Sequence, residues 1–267
     1  MVNRVGALWK AAGDFMLLIL ETLHNLTGSW GLAIILLTLA VRVLLHPLTH
    51  KQMVSMQKMQ VLQPRMKMLQ EKYKDDKETL NREIMNLYKE NKVNPAAGCL
   101  PLLVQLPILI LLFRLLMNYN FGSEPFLGFI SLEGSVLTTL AKAVSLSAET
   151  KIGAMTVLSG ILSNPAGLVH VSVYGGNLLL LVVVGFLTWA QQQLSSSGNP
   201  QAAMMSWFMP LFLTFICLSL PGGVLLYWGV SSFLGVAQQW WITKKTAVEL
   251  QNKPVLHKNR PSGKGEE

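Results

Sequence analysis

Residues 30–48 read WGLAIILLTLAVRVLLHPL, and this stretch decides the class of fold. Its length is close to the roughly 20 apolar residues that a helix needs to cross the hydrocarbon core of a bilayer. Of the 267 residues in the chain, 51% are hydrophobic and 13% are charged. Soluble domains average about 25% charged residues. The sequence therefore predicts an all-α integral membrane protein.

Four more apolar runs are long enough to cross a membrane. Together with the first run they predict five core transmembrane helices, at 30–48, 96–119, 177–194, 204–220 and 224–243. With their flanking residues the five transmembrane segments are 29–49, 95–119, 177–194, 204–220 and 221–243. The sequence Pro221-Gly222-Gly223 precedes the last of them, and this composition favours a tight break between two helices.

The regions between the spans differ in charge, and this difference predicts their side of the membrane. Residues 50–93 hold ten Lys/Arg and six Asp/Glu, residues 244–267 hold six and three, and residues 120–175 hold only two basic residues. Basic loops remain in the cytoplasm, so five spans place the N-terminus outside and the C-terminus inside a bacterial plasma membrane. The predicted regions are an amphipathic external segment at 1–28, a cytoplasmic hairpin at 50–94, an external segment at 120–176, a cytoplasmic loop at 195–203 and a basic cytoplasmic tail at 244–267.

Two helical stripes predict the structure of the basic segment 50–93. Apolar residues recur at helical spacing in two places, with charged residues on the opposite faces; they are Leu62, Met66, Leu69 and Tyr73, then Leu80, Ile84 and Leu87. The polar residues 74–77 lie between them, which predicts a helical hairpin. We expect Asn94-Pro95 to end its second helix. The run 152–169 is interpreted as an external, interfacial helix, and the tail from Lys244 is predicted to be disordered.

Arg42 is the charged residue within the first predicted span. An arginine at the centre of a membrane helix costs about 2.5–3.5 kcal/mol on insertion scales. It could extend to the cytoplasmic headgroups, or it could face a water-filled cavity. None of the five predicted spans contains Asp or Glu, so an ion pair within the membrane is excluded and the cavity is favoured. Thr38 lies one turn earlier on the same face.

Other polar or amphipathic side chains could line the same cavity. The candidates are Gln105, Gln191, Gln192, Trp228, Ser231 and Gln238. Each has an ordinary alternative: Gln191 and Gln192 could mark the cytoplasmic end of their span, and Trp228 could serve only in packing. From the sequence both interpretations remain open.

The hairpin is rich in methionine, with six of the chain's thirteen. Methionine is flexible and polarizable, which suits surfaces that accept many apolar partners. Met53, Met56, Met59 and Met66 are therefore candidates for substrate capture. Packing between the two hairpin helices is the alternative.

The sequence contains no recognisable catalytic constellation. It has no HExxH, GxSxG or phosphate-binding GxxxxGK[ST] motif. Cys99 and Cys217 lie in apolar runs and are interpreted as small buried hydrophobic residues. We therefore predict no catalytic residue, no covalent chemistry, no metal site and no cofactor.

Several motifs together resemble the YidC/Oxa/Alb family of membrane protein insertases. The hairpin sequences are Leu62-Gln63-Pro64-Arg65, EKYKDD at 71–76 and LYKEN at 87–91, and VNPAAGCLPLLVQLPI at 93–108 resembles the family's second core helix. Leu226-Tyr227-Trp228 with Gln238-Gln239 resembles the fifth, and Arg42 with Thr38 matches the groove arginine and its preceding threonine. The resemblance covers about residues 29–130 and 176–245. The chain resembles the minimal form of the family, which has no large periplasmic domain.

The resemblance implies five core helices around a hydrophilic groove that is open to cytoplasm and lipid. It implies an insertase and chaperone that acts on nascent membrane proteins in the lipid bilayer, in cooperation with the ribosome, the Sec translocon and the signal-recognition pathway, and that functions as a monomer. In this interpretation the groove residues are Arg42, Thr38, Gln105, Gln191, Gln192, Trp228 and Ser231. Two alternatives are a secondary transporter, which the missing intramembrane carboxylate disfavours, and a scaffold that binds ribosomes without inserting proteins.

Overall fold

The computed structural model describes residues 2–91, 93–94, 100–118, 121, 125–146, 152–195 and 200–252. Within these residues the regular structure is helical. The α-helices are α1 (Val2–Thr27), α2 (Trp30–Lys72), α3 (Lys77–Glu90), α4 (Leu100–Asn118), α5 (Val136–Ala143), α6 (Ala154–Ser163), α7 (Val171–Ser195), α8 (Pro200–Cys217) and α9 (Gly222–Asn252), and a 3-10 helix covers Pro165–Val169. The predicted all-α class is confirmed.

The surface of the bundle is that of a membrane protein. Two described helices are long and apolar enough to cross a bilayer, α2 and the Val171–Leu194 part of α7, and three shorter helical stretches are also apolar, at Leu106–Leu116, Ala154–Ser163 and Trp207–Cys217. Large apolar side chains face outward, including Leu44 at 76% exposure and Trp207 at 68%. So large an exposed apolar surface is unusual for a protein in water, and it is what a helical bundle presents to lipid.

The core lies where α2, α4 and α9 meet, with α1 packed against α2 and α4. Ile34, Leu112 and Val224 are fully buried there. Leu20 of α1 is also fully buried, so the apolar face of this N-terminal helix belongs to the same core. Gly28, at φ +68°, separates α1 from α2, and its N–H donates to the carbonyl of His24 at 2.7 Å.

The first transmembrane segment and the first hairpin helix form a single helix. α2 continues through Pro47 and Pro64 to Lys72. Tyr73 ends it, and Asp76 begins α3 by accepting a hydrogen bond from the N–H of Thr79 at 3.0 Å. The turn therefore falls at the predicted polar residues 74–77.

The two hairpin stripes pack against each other. The buried residues are Leu62, Leu87, Tyr88 and Val93, and Met59, Met66, Leu69 and Ile84 pack around them. The predicted end of the second helix at Asn94-Pro95 is wrong: α3 ends at Glu90. Asn91 is the C-cap, and its side-chain amide donates to the carbonyl of Leu87 at 2.7 Å. The N–H of Val93 then donates to the carbonyl of Tyr88, five residues back, at 2.9 Å, which closes the helix in place of a further i→i−4 bond.

The segment 120–176, which is predicted to be external and is called the external segment below, contains more structure than the one interfacial helix expected there. Residues 152–169 form α6 and the 3-10 helix with Asn164 between them, and α7 begins at Val171, six residues before the predicted start of its span. Asn177, 1% exposed, binds the preceding loop: its Oδ1 accepts from the N–H of Ser131 at 2.8 Å, and its Nδ2 donates to the carbonyls of Ser131 and Gly134 at 3.0 and 2.7 Å.

Two glycines allow the external loop to lie directly on the helix ends. A Cβ at Gly176 would lie 1.8 Å from the carbonyl oxygen of Phe129, and one at Gly222 would lie 2.0 Å from that of Ser131. The N–H of Gly222 also donates to the carbonyl of Gly134 at 2.9 Å. We call this arrangement of residues 129–135 on Asn177 and Gly222 the external clasp.

The disorder predicted from Lys244 is wrong for residues 244–252, because α9 continues to Asn252. Lys244 lies over the ring of Trp240, with Nζ 3.8 Å from the ring centroid, and the following sequence contains Ala, Glu, Leu and Gln, which are good helix formers. Residues 253–267 lie outside the described part of the chain.

Candidate functional site

Arg42 reaches from α2 across to α9. Its Nε–H donates to the hydroxyl of Ser231 at 3.0 Å, and an Nη2 hydrogen donates to the carbonyl of the same residue. Ser231 is 4% exposed, whereas the arginine is half-buried. The predicted pair Arg42 and Ser231 is therefore brought together, with the guanidinium held at the boundary between the two helices.

The third side of this site is α7, and a glycine makes room for it. Gly235 lies one turn after Ser231 on α9. A Cβ built there would lie 2.9 Å from Nε2 of Gln191 and 3.4 Å from Nη2 of Arg42. Three helices thus converge on one polar point at Arg42, Ser231, Gly235 and Gln191, which we call the Arg42 site.

The charge of Arg42 has no carboxylate close to it along the chain. The sequence has no Asp or Glu between residues 22 and 70 or between 150 and 248, which covers α7, most of α9 and the membrane part of α2. A guanidinium has five N–H donors. Its two hydrogen bonds to Ser231 leave three donors without a partner among the described residues, so water or an anionic group can bind them.

The other predicted groove residues have different surroundings. Thr38 is fully buried and its hydroxyl donates to the carbonyl of Ile34 at 2.7 Å, within its own helix. Gln192 is half-buried near the C-terminal end of α7. Trp228 packs against a buried apolar cluster that includes Leu181 and Leu225, which is the packing role considered for it. The side chain of Gln105 lies outside the described part of the structure.

A second layer of polar contacts lies between the Arg42 site and the hairpin. Nε2 of Gln238 donates to the hydroxyl of Thr49 at 3.4 Å. Farther along α2, Nε2 of Gln57 donates to the hydroxyl of Thr243, and Nε2 of Gln60 donates to the carbonyl of Leu194 at 2.8 Å. Sequence reasoning named Gln238 but missed its partners. The glutamines at helical spacing on α2 were the available signal.

The four predicted capture methionines are partly or wholly covered. Met53 is 8% exposed, Met56 is half-buried, and Met59 and Met66 pack inside the hairpin. The sulfur of Met66 also accepts a hydrogen bond from the hydroxyl of Tyr88 at 3.2 Å, and burial raises the pKa of Tyr88. The exposed hairpin methionines are Met68 and Met85, at 60% and 45%.

An apolar surface lies between α7 and α8. It borders a cavity of about 500 Å³ that is lined by Leu181, Phe208, Leu211, Phe212, Thr214, Phe215 and Leu218. The hydroxyl of Thr214 donates to the carbonyl of Pro210 at 2.7 Å, so its polar group is satisfied within α8. The described residues that line this cavity therefore present an apolar surface.

Comparison with known proteins places this geometry in a family. A model of the family described as 60Kd inner membrane protein matches residues 22–249. The membrane protein insertases YidC of Syntrophobacter fumaroxidans and Francisella tularensis subsp. novicida are each 35% identical over 228 residues, which is 85% of this chain and 36% and 34% of theirs. The chain thus spans about a third of the length of these curated relatives.

A solved structure supports the same assignment. The crystal structure described as an active YidC insertase with the first transmembrane domain resolved aligns with a TM-score of 0.60 and 28% identity, over 88% of this chain and 46% of that one. The family model covers every described residue of the Arg42 site. The chain therefore belongs to the 60Kd inner membrane protein family, whose relatives named above are YidC membrane protein insertases.

Proposed function

We propose that this chain is a membrane protein insertase and chaperone, and that it performs no covalent chemistry. It takes nascent membrane proteins into the lipid bilayer through a hydrophilic groove that is accessible from the cytoplasm and from lipid and carries the positive charge of Arg42. The observation that supports this most directly is the Arg42 site: a half-buried guanidinium, three of whose donors have no partner among the described residues, at the meeting point of three helices in an apolar bundle.

The physical problem for an insertase is a polar segment that must cross hydrocarbon. A charged group inside the membrane region retains water around it, so the Arg42 site shortens the apolar distance that the segment has to cross. The same charge attracts acidic residues of the segment. Arg42 holds its place through Ser231, and its remaining donors are available to a carboxylate.

The apolar helix of the substrate leaves in the opposite direction, into lipid. Burial of its side chains against hydrocarbon stabilises it by about 25 cal/mol per Å², which requires no nucleotide. The surface between α7 and α8 is suited to this step because its lining is apolar. In this proposal α8 is the wall along which the substrate helix passes into the bilayer.

The basic segments define the side on which substrates arrive. With the N-terminus outside and the C-terminus in the cytoplasm of a bacterial plasma membrane, the hairpin and the end of α9 project into the cytoplasm. Their excess of Lys and Arg suits ribosomal RNA and anionic headgroups. We propose cooperation with the ribosome, the Sec translocon and the signal-recognition pathway, and function as a monomer. The hairpin methionines, with Met53, Met56, Met59 and Met66 among them, contribute the capture surface when the hairpin opens.

The decisive experiment uses proteoliposomes that contain only this protein. A short single-spanning substrate with an acidic external tail is added, and protection of that tail from protease measures insertion by wild type, Arg42→Lys and Arg42→Ala. We expect insertion by wild type and substantial insertion by Arg42→Lys, because the charge persists, but little by Arg42→Ala. The matched control is Arg65→Ala, an exposed arginine of the hairpin.

Each other outcome has a defined meaning. Equal loss in Arg42→Lys and Arg42→Ala would refute the electrostatic role, and equal insertion by all three would make Arg42 dispensable. Ribosome binding without insertion by wild type would favour the scaffold, and solute flux in the same liposomes would favour the transporter.

A further inference from the structure

The polar face of α2 continues beyond Arg42 toward the hairpin. At about 100° of rotation per helical residue, Arg42, Thr49, Gln52, Gln60 and Gln63 fall within an arc of about 80°. Leu45 and Met56 are the apolar residues in the same arc. We call these five polar residues the α2 polar row. From the first to the last it extends about 32 Å at 1.5 Å per residue.

Three members of the row contact the helices that form the rest of the Arg42 site. Arg42 donates to Ser231 of α9, Thr49 accepts from Gln238 of α9, and Gln60 donates to the carbonyl of Leu194 at the end of α7. The row therefore lies along the boundary between α2 and the cytoplasmic halves of α7 and α9.

Gln52 lies between Thr49 and Gln60 in the row, and it is the member whose burial without hydrogen bonds is unexplained. It is 3% exposed, and neither its Nε2 nor its Oε1 has a hydrogen-bond partner among the described residues. Nε2 of Gln63 is unpartnered in the same sense. A buried amide without partners destabilises a fold, whereas an apolar side chain of the same shape does not. The residue therefore points to a ligand that supplies both a donor and an acceptor.

We propose that Gln52 is a substrate-binding residue that hydrogen-bonds main-chain peptide groups of the polar segment on its way from the hairpin to Arg42. This inference rests on the proposed insertase function. A primary amide carries one acceptor and a pair of donors, which match the C=O and N–H of a peptide group. Because it is neutral, it binds polypeptide without selecting for sequence or charge, as a protein with many substrates requires.

The spacing of the row fits an extended chain. Gln52 lies ten residues beyond Arg42, about 15 Å along the helix axis, which four to five residues of extended chain span at roughly 3.3–3.6 Å each. The contacts that close the row at Thr49 and Gln60 are hydrogen bonds between neutral groups. A peptide can replace such bonds like for like, so the row can admit the segment without separating charges.

The test replaces Gln52 with methionine, which has a similar shape and no comparable hydrogen bonding. Insertion is measured in the proteoliposomes described above, and the midpoint of thermal unfolding is measured in detergent. We expect insertion about fivefold slower, equivalent to the loss of one hydrogen bond, with an unchanged or higher midpoint because a buried unsatisfied amide is removed. Gln193→Met, at an exposed glutamine of α7, is the control and should match wild type in both.

A crosslinking arm identifies the contact itself. A photoreactive residue at position 52 should crosslink to the polar segment of a translation-arrested substrate, and one at position 193 should not. If wild type inserts and Gln52→Met inserts equally fast, the inference is overturned while the insertase function stands. A slower rate with a lower unfolding midpoint would also overturn it, since that result assigns Gln52 to the fold. Absence of insertion by wild type would instead remove the proposed function.

Discussion

The external clasp can be broken at one side chain. Asn177→Ala removes three hydrogen bonds, at 2.7, 2.8 and 3.0 Å, from a residue that is 1% exposed. It leaves the N–H and the carbonyl of half-buried Ser131 without these bonds. The carbonyl of Gly134 keeps the hydrogen bond from Gly222.

The size of the effect follows from these contacts. The N–H and the carbonyl of half-buried Ser131 are each left unsatisfied at a cost of about 1–2 kcal/mol, and the lost bond to Gly134 contributes about 1 kcal/mol. We therefore expect Asn177→Ala to lower the free energy of unfolding by about 3–5 kcal/mol. Asn177→Asp keeps the acceptor for the N–H of Ser131 but sets a negative charge against two carbonyl oxygens, so it should be at least as destabilising.

The assay is thermal unfolding of the detergent-solubilised protein, followed by tryptophan fluorescence, with limited proteolysis of residues 125–146 as a local readout. Asn25→Ala, at an exposed asparagine of α1, is the control and should stay within about 0.5 kcal/mol of wild type. An Asn177→Ala protein equally close to wild type, with the same protease resistance, would refute the reasoning, because it would mean that the clasp contributes nothing to the fold.

Three further changes test other parts of the molecule. Gly235→Leu would press a side chain against Gln191 and Arg42, whose nearest atoms lie 2.9 and 3.4 Å from a Cβ at this position, so we expect it to displace the guanidinium and to lower insertion toward the level of Arg42→Ala. Insertion at the wild-type rate would show that this space is not used. Met66→Ala leaves a cavity in the hairpin core and should destabilise the hairpin by about 2–5 kcal/mol, measured by hydrogen exchange. The same change at exposed Met68 is the control and should cost under about 0.5 kcal/mol. The hydrogen bond from Thr79 in the first turn of α3 lowers the pKa of the Asp76 carboxyl. The ionised carboxylate therefore stabilises α3 above the ordinary aspartate pKa of about 3.9, and this stabilisation is lost as the pH falls below that value. Hydrogen-exchange protection factors in this turn that stay unchanged as the pH falls through this range would contradict the prediction.

Patterns along the sequence were sufficient for features that depend on local chemistry. The hairpin could be predicted from the apolar stripes that include Leu62 and Leu87, since a helix places residues at this spacing on one face. The break at Pro221 could be predicted from its own composition. Arg42 stood out because a charge in an apolar run has few explanations.

Features that depend on contacts between distant residues were not predictable in this way. Asn177 is an ordinary polar residue at the start of an apolar run until the loop around Ser131, 46 residues earlier, is folded onto it. Gly235 became informative only when α7 brought Gln191 beside it. Periodicity and composition along one sequence do not show which helix faces which, so the third side of the Arg42 site required the structure.

The boundary placed between residues 49 and 50 illustrates a different limit. Hydrophobicity falls there, and Pro47 lies just before it, but a membrane surface is not a helix end. A proline within a helix removes one hydrogen bond and often bends the axis without ending it. α2 therefore leaves the predicted span as the same helix that entered it.

That continuity makes α2 a lever. Its 43 residues amount to a rod of about 65 Å at 1.5 Å per residue, with Arg42 on one arm and the hairpin turn on the other. Measured from Pro47, the arm that ends at the hairpin turn is about 38 Å long, so a tilt of 10° at that proline moves the turn by roughly 6–7 Å. A load placed on the hairpin therefore reaches the segment that carries Arg42 along one continuous helix, with no loop between them, and Pro47 and Pro64 are the points where its axis can bend.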